Sequence, residues 1–149
     1  ASRAHSTRAS APIDSGVLGA FGAYSISAIV AMLDVQITEE AQKVAATLRH
    51  RSPLMLHVVL EQVRRARSMG LADDLRMERD MVRHCFHTAH LARSGVASET
   101  VEGIRALAVD KDQQPHWNPA RVEDVTPEMV APFFESPWPA TAHPLRQLT

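Results

Sequence analysis

The chain has 149 residues, 45% hydrophobic and 22% charged, with a formal net charge of −1. That is enough for one modest core, and the near-neutral charge by itself predicts no nucleic-acid surface. Its single cysteine, Cys85, excludes an internal disulfide and fits a reducing compartment. No apolar run approaches the roughly 18–20 residues that span a bilayer; the longest, Val17 to Leu33, is broken by Gly19, Gly22, Ser25 and Ser27.

Residues 1–13 hold Arg3 and Arg8 among Ser and Ala, with no acid. This reads as a solvated linker or as the tail of a mitochondrial transit peptide. The first residue is Ala, so the chain is expected to be processed or a piece of a longer protein. Gly16, Gly19 and Gly22 match neither G-x-G-x-x-G nor a P-loop, and no strand precedes them, so that stretch is expected to be flexible, and residues 1–20 as a whole read as the linker or transit-like segment.

No segment alternates apolar and polar residues for long, and helical spacing recurs throughout. Ser25 to Leu33 predicts a short helix with Ile26, Ile29, Val30 and Leu33 on one face. Thr38 is the N-cap of the next helix, with Glu39 and Glu40 at the positive end of its dipole, and the helix runs to about Arg51. Ser52-Pro53 starts another, to about Met69, with Leu56, Val59, Leu60, Val63 and Ala66 as its apolar stripe. A longer helix follows from about Ala72 to Ala92, its stripe Leu75, Val82, Phe86 and Ala89 flanked by Met77 and Met81, and Gly95 ends it. Ser98 or Glu99 caps the helix carrying Val101, Ile104, Leu107 and Ala108. Thr126-Pro127 opens the last, with Met129, Val130, Phe133 and Phe134. The tail 136–149 has Pro137, Pro139 and Pro144 and is expected to be extended.

Candidate sites are few. His84, His87 and His90 are neighbours on a helix, but the set drifts around it and lacks a partner cluster, so no metal site is assigned. Cys85 borders an apolar stripe and reads as an inert thiol. Arg64, Arg65 and Arg67 are the densest basic group, and a solvated helix face explains them better than a phosphate contact. No catalytic triad, carboxylate pair or Gly-rich turn can be placed, so no catalytic residue is named. In Asp110-Lys111-Asp112, Lys111 could reach a phosphate as a mobile point charge, although it also suits a helix C-terminus.

Several ordered pieces carry a resemblance: Ser52-Pro53-Leu54, Val59 to Arg65, Leu71-Ala72 with Leu75 to Glu78, Glu102 to Leu107, then Asp110-Lys111-Asp112, Pro115, Trp117 and Pro119, and last Glu123 to Thr126. From about Phe21 to Phe134 the chain resembles the C-terminal part of the 3-hydroxyisobutyryl-CoA hydrolase family, within the crotonase (enoyl-CoA hydratase) superfamily. The resemblance implies a mainly α chain, the helical portion (21–135) that trails a crotonase-type α/β spiral. It implies a CoA thioester as substrate, with no further cofactor and no membrane partner. The oxyanion hole and catalytic acids would lie in the spiral, outside this chain. Lys111 matches a lysine that lies near the CoA nucleotide in related crotonases, and Val101 departs from a frequent aromatic. The expected partner is a crotonase-like N-terminal segment or a neighbouring subunit. Localisation would be cytoplasmic in a bacterium and the mitochondrial matrix in a eukaryote. Since hydrolase-like members serve in some mitochondrial ribosomal small subunits, the alternative is a non-catalytic structural component, the only reading with a nucleic-acid partner. Either way, helices without the spiral should expose apolar surface.

Overall fold

The structure is a computed structural model that describes residues 12–149. Its elements in order are α1 (Ser15–Ala20), α2 (Ile26–Asp34), α3 (Glu39–His50), α4 (Pro53–Ala66), α5 (Leu71–Phe86), α6 (Glu99–Ile104), continued by a π-helical turn at Arg105–Val109, and α7 (Pro127–Val130), with short 3-10 turns after α5 and around α7. No strand occurs among the described residues. The mainly helical reading holds.

Three helix starts follow from their caps. Ser25 Oγ accepts from Ala28 N at 3.1 Å, Thr38 Oγ1 from Ala41 N at 3.3 Å, and Ser52 Oγ from Met55 N at 3.2 Å. Each hydroxyl satisfies a donor that the first helical turn leaves orphaned. The 16–22 glycine segment departs from expectation. Asp14 Oδ1 accepts from Gly16 N (2.8 Å) and Val17 N (3.2 Å), which nucleates α1. Burial of Val17 and Ala20 and the Gln36 amide, which donates to Gly16 O at 3.0 Å, then hold it. Residues 1–11, the core of the linker or transit-like reading, lie outside the described residues.

Two cores form. Val17, Ala20, Ile26, Ile29, Val30, Leu33, Ala41 and Ala45 join α1, α2 and α3. Leu54, Val58, Met77, Met81, Val130 and Phe133 join α4, α5 and the last turns. Helix α4 lies between the two cores. Leu56 and Leu60 pack on the first core, while Leu54 and Val58, both wholly buried, enter the second. The stripe expected on α4 is therefore corrected: Val59 and Val63 are about half exposed, at 48% and 49%. Periodicity identified an apolar face, but the helix has two buried flanks and the stripe straddled them.

Helix α5 differs in the same way. Met77 and Met81 face the core, whereas Val82 and Phe86 of the expected stripe are 52% and 49% exposed. The helix also stops at Phe86, not Ala92. His87 is its C-cap, a 3-10 turn follows over Ala89–Leu91, and Ala92 takes a left-handed φ of 54°. Gly95 sits against the helix end, where a Cβ would come 2.6 Å from the Phe86 carbonyl oxygen. Its small size thus serves packing on the helix end rather than termination.

The tail is not simply extended. It turns through a 3-10 segment, Ala140–Ala142, and folds back on α5. Asp80 Oδ1, buried, accepts from His143 Nε2 at 3.0 Å and from Ser136 Oγ at 3.2 Å. Leu145 N donates to His143 Nδ1 at 3.0 Å, which places the imidazole proton on Nε2. Arg76 donates to the carbonyls of Leu145 (3.2 Å) and Leu148.

Candidate functional site

The Asp110–Pro119 segment wraps α6 and is fixed at three points. The first is Arg105. Its Nε and Nη2 grip Glu102 at 2.9 and 2.8 Å, its Nη1 reaches Asp110 and Asp112, both at 2.7 Å, and Nη2 also donates to Gln114 O at 2.9 Å. This is the bidentate, forked recognition that only guanidinium provides. Glu102 takes a further hydrogen bond from His116 N at 2.6 Å. These donors hold its carboxyl down at about 2, and Asp112 is lowered by the same Arg105.

The second point is Trp117. Its Nε1 donates to His50 O, at the end of α3, at 3.0 Å. Its ring lies over Gly103, where a Cβ would come 3.3 Å from the indole. The Glu102-Gly103 pair thus has two jobs: the acid anchors Arg105, and the glycine leaves room for the indole.

The third point is Glu99, buried at 7% exposure. It accepts from Asn118 N at 3.1 Å, from Ser52 Oγ, and from Arg93 Nη1 at 3.3 Å. Arg93 Nη2 also donates to Asn118 O at 2.7 Å, beside the cis Asn118–Pro119 bond. Ser98 caps α6 through Val101 N at 3.2 Å.

Between α3, α6 and this segment lies an open groove of about 340 Å³, lined by His50, Arg51, Gly103, Leu107, Gln113 and Trp117 among others. Lys111 is two residues before the lining residue Gln113, exposed, at a left-handed φ of 58°. The flanking aspartates are occupied by Arg105, and Lys111 has no ion pair among the described residues. The turn braced by Arg105 therefore carries an ammonium without an ion pair among the described residues, on a residue that is not itself part of the groove lining. No carboxylate is left uncommitted in the groove lining, since Glu99 is held in the clamp just described.

The other sequence candidates lie elsewhere. His84 donates from Nε2 to Glu135 O at 2.8 Å, and His90 meets Phe133 edge-on at 4.7 Å between centroids. Burial and the neighbouring His84 push the His90 pKa down. Among the described residues no three His, Cys, Asp or Glu side chains gather as metal ligands. Burial raises the Cys85 thiol, against a weaker opposing hydrogen bond from Thr100, which disfavours a nucleophilic thiolate. Arg64 donates to Tyr24 O at 2.6 Å, and Arg65 pairs with Glu61 at 2.8 Å while stacking on Phe134. These two arginines are engaged within the fold. Sequence reasoning missed the Arg105 hub and the Glu99 clamp. The i,i+3 spacing of Glu102 and Arg105 was a visible signal for the first, whereas nothing local signals contacts that join Ser52, Arg93, Glu99 and Asn118.

Comparison with known proteins agrees with the resemblance. The family model described as enoyl-CoA hydratase/isomerase matches residues 3–134. The chain is 34% identical over 119 residues to 3-hydroxyisobutyryl-CoA hydrolase 1 of Arabidopsis thaliana, covering 77% of this chain and 30% of the relative. It is 32% identical over 115 residues to the mitochondrial 3-hydroxyisobutyryl-CoA hydrolase of Gallus gallus, covering 77% and 28% respectively. The chain therefore spans less than a third of the length of these relatives. It belongs to the enoyl-CoA hydratase/isomerase (crotonase) family and is similar to its 3-hydroxyisobutyryl-CoA hydrolases.

Proposed function

We propose that this member of the enoyl-CoA hydratase/isomerase family is the C-terminal helical portion of an acyl-CoA thioester hydrolase acting on a small branched or 3-hydroxy acyl-CoA. The chemistry would come from a crotonase-like segment outside these 149 residues. One observation carries the reading: the chain aligns along most of its length with hydrolases about three times as long. The surface supports it. Leu75, Val82 and Phe86 on α5, and Ile104, Leu107 and Val109 on and after α6, stand from 36% to 68% exposed. Apolar faces of that extent are expected where another segment or subunit packs.

In this reading the chain's residues bind and assemble. Arg105, Glu102 and Trp117 hold the Asp110–Pro119 segment rigid, so that Lys111 sits at a fixed place as a phosphate-facing cation for the CoA nucleotide. No catalytic role falls to any residue of this chain, and alone it is expected to be inactive. If its source is eukaryotic, the mitochondrial matrix is the compartment that its mitochondrial relatives suggest. Among the described residues no helix is long and apolar enough to cross a membrane.

The test is a thioester assay with 3-hydroxyisobutyryl-CoA, on the chain alone and joined to the crotonase-like segment. Hydrolysis by the joined protein alone is the expected result. A joined, folded protein that neither binds nor cleaves acyl-CoA would overturn the proposal.

A further inference from the structure

Arg76, Arg79 and Arg83 follow one another along successive turns of α5, spaced three and four residues apart, so their side chains rise from one side of the helix. Asp80 lies among them, but Oδ1 of its carboxylate accepts from His143 and Ser136, and it forms no ion pair with an arginine among the described residues. That clasp lays Trp138 on the same surface, edge-on to the His143 ring at 5.4 Å between centroids. The guanidinium carbons of Arg79 and Arg83 stand 4.7 and 5.4 Å from the centre of the Trp138 ring.

Neither guanidinium has a carboxylate. The nearby acids are committed elsewhere, Asp73 to Arg76 at 2.8 Å and Asp80 to the tail. Residues 1–11 contain no Asp or Glu, so that stretch holds no carboxylate for them either. Stacking on an indole uses the flat face of a guanidinium and leaves its in-plane N–H donors pointing away. It also removes water from one side of the cation, which strengthens its attraction to an anion. Arg146, whose Nη1 lies 3.5 Å from His143 O, adds a further positive charge with no ion pair among the described residues.

We propose that Arg79 and Arg83, held on Trp138, form a binding site for a phosphate-class oxyanion, best matched by a diphosphate. Two guanidiniums within 5.4 Å of one ring centre suit a compact anion with several acceptor oxygens, since each fork can take two of them. Trp138 lies beyond residue 134, where the family match ends. Arg79 and Arg83 lie within that match, and the proposal does not rest on the thioester reading, because its test reads binding at these side chains and not thioester cleavage.

The probe is pyrophosphate, titrated into the whole chain at low salt. Nε–H signals of Arg79 and Arg83 and the Trp138 indole N–H are followed by NMR. Saturable shifts at all three, weakened by salt, are expected. Affinity should fall by about tenfold or more in R79Q/R83Q and less in R79K/R83K, which keeps the charge but loses the fork. Acetate, with one carboxylate, should not saturate the signals. A competing single-stranded oligonucleotide reads the source. Displacement assigns the site to a polymer's phosphates, and its absence assigns it to a small phosphorylated molecule; both agree with an oxyanion site. The absence of saturable shifts at Arg79 and Arg83 would overturn the proposal. So would unchanged affinity in R79Q/R83Q with a native far-UV spectrum. If the double variant loses its fold, R83Q alone carries the same test.

Discussion

Glu99→Ala removes the one carboxylate that ties the start of α4, the turn at Arg93, the start of α6 and the Asn118 backbone together. Breaking a buried ion pair by deleting one partner costs about 3–5 kcal/mol, because the remaining charge stays buried without compensation. The Arg93 side chain, 14% exposed, would be left in that position. It keeps its hydrogen bond to Asn118 O at 2.7 Å, and Ser52 keeps its cap to Met55 N. The lower end of the range is therefore expected, about 3 kcal/mol. With a urea slope of roughly 2 kcal/mol/M for a chain of this size, the midpoint should drop by about 1.5 M. Equilibrium urea unfolding followed by far-UV circular dichroism reads this directly. Glu99→Gln, which keeps an acceptor for Asn118 N but not the charge, should fall between wild type and Glu99→Ala. A loss below about 1 kcal/mol for Glu99→Ala would mean that the clamp does not hold the segment, and the reasoning would fail.

Acid and histidine titrations give two further expectations. Glu102 has a folded pKa of about 2, below its ordinary 4.5, so its stabilising contribution is complete above 4.5 and is lost as pH falls toward 2. Glu102→Gln should flatten the pH dependence of the urea midpoint in that window; an unchanged slope would contradict the Arg105 hub. His90 has a folded pKa below 6.5, so the unfolded chain takes up the proton first and stability declines as pH drops below 6.5. His90→Phe should remove part of that decline while keeping the packing on Phe133, as thermal melts at pH 7 and pH 5.5 would show. Gly103→Val should cost about 1–3 kcal/mol by pushing the Trp117 ring from its seat, seen as a red shift of the indole emission. Lys111→Ala should leave the urea midpoint within about 0.5 kcal/mol of wild type, since the side chain is exposed and unpaired. In the joined protein it should weaken CoA binding in a salt-dependent manner, measured by calorimetry.

Helix starts were legible because a capping hydroxyl acts on amides a few residues away: Thr38 and Ser52 cap where the sequence places them and Ser98 does so from the Ser98–Glu99 pair, whereas Thr126 sits at its helix start without a side-chain cap bond. The α2 face was legible for a similar reason, as Ile26, Ile29, Val30 and Leu33 meet a single core. Which face of α4 and α5 is buried was not legible. Periodicity reports that Val59, Val63, Val82 and Phe86 form apolar faces, but not whether a partner within these 149 residues covers them. The Asp110–Pro119 segment was recognised as a motif, yet its anchoring on Arg105, Trp117 and Glu99 depends on contacts up to 67 residues apart. The end of α5 was misplaced because Gly95 signals a stop, while its small size serves close packing against Phe86.

The most direct test of the central claim is native mass spectrometry of the protein purified from its source. The account predicts a mass beyond that of this chain, or a tight complex with a crotonase-like segment, that cleaves an acyl-CoA thioester. A lone 16.4 kDa species, or co-purification with a ribonucleoprotein in place of a crotonase-like partner, would contradict it.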